Sequence, residues 1–427
     1  MPIGIRDLDL PDVAITHDPE TETAQQNPYE PVKLVAGSVT AQVLYQCAAG
    51  TRAIVVNSPP GGGKTTLITH LASYLHGRLG LPVMIAVPRR AQAKDLARRL
   101  ALLIDPKDVD LEMRGVKRED WLPDGTPSVR ADKVAPAGYV DSKGRSAMRA
   151  PIIVKTLDSL KLTKHGGRLL IVDESYQVTT ECGASAAAGF DQIIAVGDPG
   201  QIGPVVPVNT YAWGALAPHR SFAARLLERE DVWTASLPST YRLGQDTTDA
   251  IAPLYSFDFT SCRPDAGIEG HDELEELLAH SPQSPTDPML MDATVRAAKR
   301  LIGKTYSAPD GTSRPIEAKD IVVCAATRSQ VTALTARMNV AGLGRSTVGT
   351  ADEIQGGQWP ATVAVDPLAG GHVSDHHADT GRLCVMLSRH IAHLTWVHDG
   401  GWRGDMPQIT ARERDLHRRV RSAVVGH

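Results

Sequence analysis

Ser58-Pro-Pro-Gly-Gly-Gly-Lys-Thr-Thr66 decides how the rest of the chain reads, because of what flanks it. Before it stands the apolar run Arg52-Ala-Ile-Val-Val-Asn57, which reads as a buried strand. After it, Leu67, Leu71, Leu75 and Leu79 recur at helical spacing, and Gly80 followed by Pro82 is a helix stop. Strand, glycine loop and helix together make a phosphate cradle. Pro60, Gly61, Gly62 and Gly63 shape a turn whose backbone N–H groups face phosphate oxygens, Lys64 reaches the outer phosphates, and the Thr65 hydroxyl, with Thr66 beside it, can ligate Mg²⁺. Ser58 stands where the usual pattern has its first glycine.

At 427 residues the chain is long enough for two or three domains, and 42% hydrophobic with 22% charged residues is a globular composition. No apolar run approaches the roughly 18 residues needed to span a bilayer, and Met1-Pro-Ile-Gly-Ile-Arg lacks the opening of a signal peptide. The expectation is a cytoplasmic protein without a membrane span. Five cysteines at scattered positions suggest neither a disulfide framework nor a zinc module. The net charge of −4 conceals an asymmetry. Residues 1–32 are acidic, whereas residues 89–168 carry 18 Lys and Arg against 11 Asp and Glu, which suits a polyanion groove beside a phosphate-binding core.

Residues 1–32 read as a flexible acidic lead-in. Strand candidates follow at Ile54–Asn57, Val83–Val87, Ile152–Lys155, Leu169–Asp173 and Ile193–Gly197, alternating with helical stretches such as Ala91–Ile104. A second series runs through Ile321–Cys324, Thr347–Thr350, Thr362–Val365, Leu383–Leu387 and Leu394–Val397. The organisation expected is a first α/β core over 33–238 with an insertion at about 106–150, and a second over 239–427 with an insertion at about 260–318.

Arg168-Leu-Leu-Ile-Val-Asp-Glu-Ser175 puts Asp173 and Glu174 at the C-terminal end of a buried strand, where ligands of open parallel sheets bind. One carboxylate there can hold Mg²⁺ and its neighbour can deprotonate an attacking water. The next strand ends in Gly197-Asp-Pro-Gly-Gln201, whose glutamine can sense a terminal phosphate. In this order the motifs resemble those of superfamily 1 helicases, over most of the chain from about Leu34 to His398. The later motifs of that family have counterparts in Leu237-Pro-Ser-Thr-Tyr-Arg242, Ile321–Gln330, Thr350-Ala-Asp-Glu-Ile-Gln-Gly-Gly-Gln358 and Arg382-Leu-Cys-Val-Met-Leu-Ser-Arg-His390. Gln358 replaces the family's glutamate.

The resemblance implies two RecA-like doubly wound parallel-sheet cores facing an ATP cleft. It implies ATP and Mg²⁺ as cofactors, Thr65 and Asp173 as the metal's holders, and Gln42, with Gln46 as the nearby alternative, as the residue reading the adenine edge. Tyr241 would stack on the base, Gln355 and Gly356 would contact the nucleotide, and Arg242 and Arg389 would meet the γ-phosphate, Arg389 as arginine finger. Arg89, Thr156 and Thr350 would hold a single-stranded nucleic acid, DNA being the expected form. The activity implied is ATP-driven translocation or unwinding, closer to the RecD-like, 5′-to-3′ branch than to the UvrD-like branch, with replication, recombination or repair proteins as partners. Two other readings use the same residues: an ATPase that remodels complexes without unwinding, and a non-enzymatic nucleotide-dependent binding module. His372, His376 and His377 read as a polar loop.

Overall fold

The computed structural model describes residues 35–116, 122, 150–163, 166–206, 213, 217–280, 282–371, 374–400 and 410–425. The acidic segment 1–32 and His372 lie outside the described residues. By contacts the chain forms two compact units. The first comprises Met1–Ser58, Gly63–Asp198 and Pro204–Ser236, and the second Pro59–Gly62, Pro199–Gly203 and Leu237–His427.

The first unit is built on seven parallel strands: β1 (Ala53–Asn57), β2 (Val83–Val87), β3 (Val109–Glu112), β4 (Ile152–Thr156), β5 (Gly167–Val172), β6 (Phe190–Gly197) and β7 (Val232–Ser236). Their order is β3-β4-β2-β5-β6-β1-β7. Its helices are α1 (Val39–Ala48), α2 (Lys64–Leu79), α3 (Arg90–Leu103), α4 (Leu157–Thr163), α5 (Thr180–Ala187) and α6 (Phe222–Leu226). Strand alternation divides the core between two faces. Val55, Met84, Ala86, Leu170 and Val172 pack with Leu160 of α4, Ala186 of α5 and Phe222 of α6. Their neighbours Ile54, Val56, Ile85 and Ile171 are fully buried on the opposite face, and α2 and α3 pack against each other and against β2. Both faces are therefore covered, as a parallel sheet requires.

The second unit holds β8 (Ser239–Thr240), β9 (Thr260–Ser261), β10 (Gly267–Ile268), β11 (Leu274–Leu278), β12 (Thr305–Ser307), β13 (Ser313–Pro315), β14 (Ile321–Ala325), β15 (Thr347–Thr350), β16 (Trp359–Val365) and β17 (His390–His398). Five of these form a parallel sheet in the order β11-β17-β16-β14-β15. The helices are α7 (Gln245–Ile251), α8 (Pro288–Leu301), α9 (Arg328–Val340), α10 (Ala351–Ile354), α11 (Asp375–Ala378), α12 (Thr380–Leu387) and α13 (Ala411–Val425). Here too β14 sorts its residues by alternation. Ile321, Val323 and Ala325 join Leu290 and Met291 of α8 and Leu334 of α9, whereas Val322 and Cys324 join Leu383 and Met386 of α12 and Val420 of α13.

Three sequence expectations meet a different structure. Leu383–Leu387, expected as a strand, is the end of helix α12. An unbroken apolar run has no periodicity to separate strand from helix, and all five residues are buried. What starts the helix is Asp379, whose carboxylate accepts the Arg382 N–H at 2.7 Å. The stretch at 260–318, expected as an insertion, supplies β11 to the edge of the parallel sheet and α8 to its core. Glu275 and Glu276 interrupt the apolar signal of that edge strand. In the stretch at 106–150, β3 pairs with β4 at the edge of the first sheet.

Candidate nucleotide site

In the first unit, β1 lies between β6 and β7, and the phosphate-loop motif leaves its C-terminal end. Gly63 caps α2 with φ 87°, a left-handed conformation open to glycine without steric cost. The Leu67 N–H closes the first helical turn on the Gly63 carbonyl at 2.9 Å. Lys64, the first residue of α2, reaches Glu174 across the sheet's end, with Nζ 3.0 Å from Oε2. Thr65 is half-buried and Thr66 exposed on the same turn.

Asp173 follows β5, and its N–H extends the ladder by bonding the Ala86 carbonyl at 2.9 Å. Its carboxylate is buried and accepts the Glu174 N–H at 2.8 Å. Glu174 itself has φ 50°, a strained conformation for a residue with a side chain. Hydrogen bonds hold it there: Ser175 N–H to the Val196 carbonyl at 3.0 Å and Gln177 N–H to the Glu174 carbonyl at 2.8 Å. Gln177 Nε2 also donates to Glu174 Oε2 at 3.1 Å. The kink turns the carboxylate toward Lys64, a feature that no residue type in the sequence announces.

The electrostatics follow from this crowding. Burial, then the Glu174 charge, pushes the Asp173 carboxyl up to about 7, against the opposing pull of Lys64. Burial alone would draw the Lys64 ammonium down, but Glu174, Asp198 and Asp173 together hold it above its usual value. A Thr hydroxyl and an Asp carboxylate are hard oxygen donors of the kind Mg²⁺ prefers, so this set fits that ion.

In the second unit, the turn Pro59–Gly62 and the loop Pro199–Gly203 join the segment after β7 by contacts. Thr240 Oγ1 donates to the Pro60 carbonyl at 2.6 Å, and the Tyr241 N–H to the Gly61 carbonyl at 3.0 Å. Gly61 has φ 72°, and a Cβ there would lie 2.5 Å from the Arg242 Cβ. Arg242 is thus held beside the phosphate-loop turn, and Tyr241 next to it is 59% exposed. The loop carrying Gln201 runs against α12: a Cβ on Gly381 would lie 2.8 Å from the Gln201 carbonyl.

Thr350 caps α10, its N–H bonding Glu353 Oε2 at 3.0 Å, and both Thr350 and Gln355 are buried. Gly356 continues at φ 91°, while Gln358 is exposed. Arg382 grips Asp352 with two guanidinium nitrogens at 2.9 and 3.2 Å, tying α12 to α10. The sequence motifs contain both residues but do not reveal this pairing. Arg389 follows α12, is only 2% exposed, and donates from Nη2 to Ser388 Oγ at 3.1 Å.

Gln42 is exposed on α1 and donates to the Gly37 carbonyl at 3.0 Å. Arg89 is exposed at the start of α3, and Thr156 is buried at the end of β4. Lys155 beside it is buried against Glu112, at 2.5 Å, and so is not part of an open basic face. His376 bonds the Ala326 carbonyl and His377 pairs with Ser374. One group among the described residues, His271, Glu275 and His393, has metal-like spacing. Its donors are engaged: His271 Nδ1 with Glu275 at 2.9 Å, Glu275 with Arg300 at 2.6 Å, and His393 with the Asp272 carbonyl and the Thr395 hydroxyl at 2.6 and 2.7 Å. Among the described residues, no helix is long and apolar enough to cross a membrane.

Residues 40–228 match the family model of an AAA domain. No curated protein matches the chain. Similar solved structures include the PRRSV helicase, at 14% identity and a TM-score of 0.43 over 84% of this chain and 54% of that one. Another is arterivirus nonstructural protein 10, a helicase, in complex with DNA, at 17% identity and 0.45 over 82% and 62%. A third is the E. coli DExH-box NTPase HrpB, at 12% and 0.42 over 86% and 42%. The chain thus spans about half the length of these structures, and likeness at this level assigns neither residues nor substrate. The matched AAA domain contains the phosphate loop, Lys64, Asp173 and Glu174.

Proposed function

We propose that the chain is an ATP-dependent, Mg²⁺-requiring translocase of the superfamily 1 helicase type that moves along single-stranded DNA. The observation that carries this reading is the Lys64–Glu174 pair at 3.0 Å beside buried Asp173, at the end of a parallel sheet whose phosphate loop opens α2. Lys64 supplies positive charge to the outer phosphates. Glu174, already aimed by its strained backbone, orients the attacking water and takes its proton. Mg²⁺, held by Thr65 and Asp173, would neutralise phosphate charge.

To Arg242 and Arg389 the reading gives the charge that develops on the terminal phosphoryl group during transfer, and to Gln201 the sensing of that group. Gln42, Tyr241, Gln355 and Gly356 contact the nucleotide. Arg89, Thr156 and Thr350 hold strand phosphates without reading sequence. In the RecD-like branch movement runs 5′ to 3′.

The test is steady-state ATP hydrolysis with no nucleic acid, with single-stranded DNA and with single-stranded RNA, alongside strand displacement from a tailed duplex. Single-stranded DNA is expected to raise turnover about tenfold or more, with affinity falling steeply as salt rises. Stimulation without displacement would favour the remodelling ATPase. Turnover indifferent to both nucleic acids would overturn the reading.

A further inference from the structure

Glu273 stands immediately before β11, and its side chain is 8% exposed. Its Oε1 accepts the Gly244 N–H at 2.7 Å and lies 3.3 Å from His390 Nε2. Arg263 approaches the same oxygen at 3.8 Å and donates from Nη1 to the Ile391 carbonyl at 2.6 Å. The Thr247 hydroxyl sits 3.0 Å from His390 Nε2. His390 is fully buried, and its Nδ1 meets no hydrogen-bond partner among the described residues, so Nε2 carries the proton in the neutral ring. The approach needs a glycine: a Cβ on Gly244 would lie 2.2 Å from Glu273 Oε2.

These contacts join two stretches that are far apart in sequence. Gly244 is two residues beyond Arg242, and His390 directly follows Arg389. We infer that Glu273 is a positioning residue that locks the Arg242 and Arg389 segments into one fixed spacing for phosphoryl transfer. This rests on the roles proposed above for the two arginines. Burial works against the Glu273 charge, but the hydrogen bond from His390 and the Arg263 guanidinium hold its carboxyl below the usual carboxylate range, so it stays ionised at working pH. A buried carboxylate is a costly way to hold a fold, where an apolar residue of similar volume packs as well or better. Its advantage is directional: one oxygen fixes an amide and an imidazole at defined distances, and small errors in the placement of transition-state groups cost large factors in rate.

The experiment measures kcat and KM for ATP hydrolysis, with urea denaturation, on the full chain carrying Glu273→Ala, Glu273→Gln, Arg242→Ala or Arg389→Ala. Glu273→Ala is expected to lower kcat about tenfold or more with KM changed less than about threefold. Glu273→Gln, which keeps the acceptor oxygen, should restore kcat to within about threefold of wild type. In an Arg389→Ala background the Glu273→Ala loss should shrink, because the residue acts through that arginine. Should Glu273→Ala fail to fold, Gly244→Ala, whose methyl meets the carboxylate, and Thr247→Val, which removes one hydroxyl, decide by the same kcat-against-KM split. A folded Glu273→Ala, or both substitutes in its place, retaining kcat within about twofold would overturn the inference, as would a loss fully additive with Arg389→Ala. If Arg242→Ala and Arg389→Ala themselves leave turnover near wild type, the parent reading fails instead.

Discussion

The two units place their charged groups in opposite ways. In the first, Lys64 and Glu174 keep 14% and 15% side-chain exposure and sit on contiguous motifs at the ends of strands. In the second, Arg389 and Arg421 are buried, Arg389 against its neighbour Ser388 and Arg421 against Asp366 of a distant segment. A half-buried lysine–carboxylate pair can exchange partners when a phosphate arrives. A buried arginine is committed to one geometry, so its surroundings must be built to hold it. The first unit therefore reads as chemistry and the second as placement.

The largest effect that could break this comparison concerns Arg389. Replacing it with Ala is expected to reduce strand-stimulated turnover about 10³-fold, with a smaller loss of ATP affinity, as for removal of an arginine that acts mainly in the transition state. Lys should rescue poorly, since a point charge cannot reproduce the planar fork. Steady-state hydrolysis and equilibrium ATP binding on the three proteins check this. Turnover within a few-fold of wild type in the Ala variant would make Arg389 a structural cation and leave the first unit to act alone.

A smaller effect would sharpen the same contrast through stability. Arg421 of α13 bonds Asp366 at the end of β16, with side chains 8% and 1% exposed. Burial raises the Asp366 carboxyl, and Arg421 is the main group opposing that rise. Arg421→Ala leaves an uncompensated buried carboxylate and is expected to cost about 3–5 kcal/mol by urea denaturation at pH 7.5. A carboxyl whose folded pKa is raised above its unfolded value destabilises the fold as pH rises past that unfolded value, so the deficit should shrink on acidification toward pH 5. Asp366→Leu combined with Arg421→Met should recover most of the loss. A deficit that does not vary with pH would mean that lost packing, not the orphaned charge, is responsible.

Much of the first unit was legible because its signals are local. Apolar runs marked β1, β2, β4, β5 and β6; Asp173 and Glu174 lie within two residues of the end of β5, and Lys64 opens the helix that follows the glycine loop after β1, so reading the strands located all three. The φ of Glu174 was not legible, because the strain comes from hydrogen bonds to β6. The second unit hid more. Leu383–Leu387 carried no periodicity to separate helix from strand, and β11, with its consecutive glutamates, fell in the stretch read as an insertion, although it pairs with β17. Glu273, Gly244 and His390 converge from positions 29 to 146 residues apart, which no local pattern can report.

The central claim is that Lys64 binds phosphate while Glu174 activates water. It is tested most directly by measuring ATP binding and single-turnover hydrolysis in wild type, Lys64→Ala and Glu174→Gln. Lys64→Ala should lose binding and turnover together. Glu174→Gln should bind ATP with near-normal affinity while hydrolysis falls by about 10²-fold or more, because the side chain keeps its shape but loses the proton acceptor. Near-normal hydrolysis in Glu174→Gln would contradict the account.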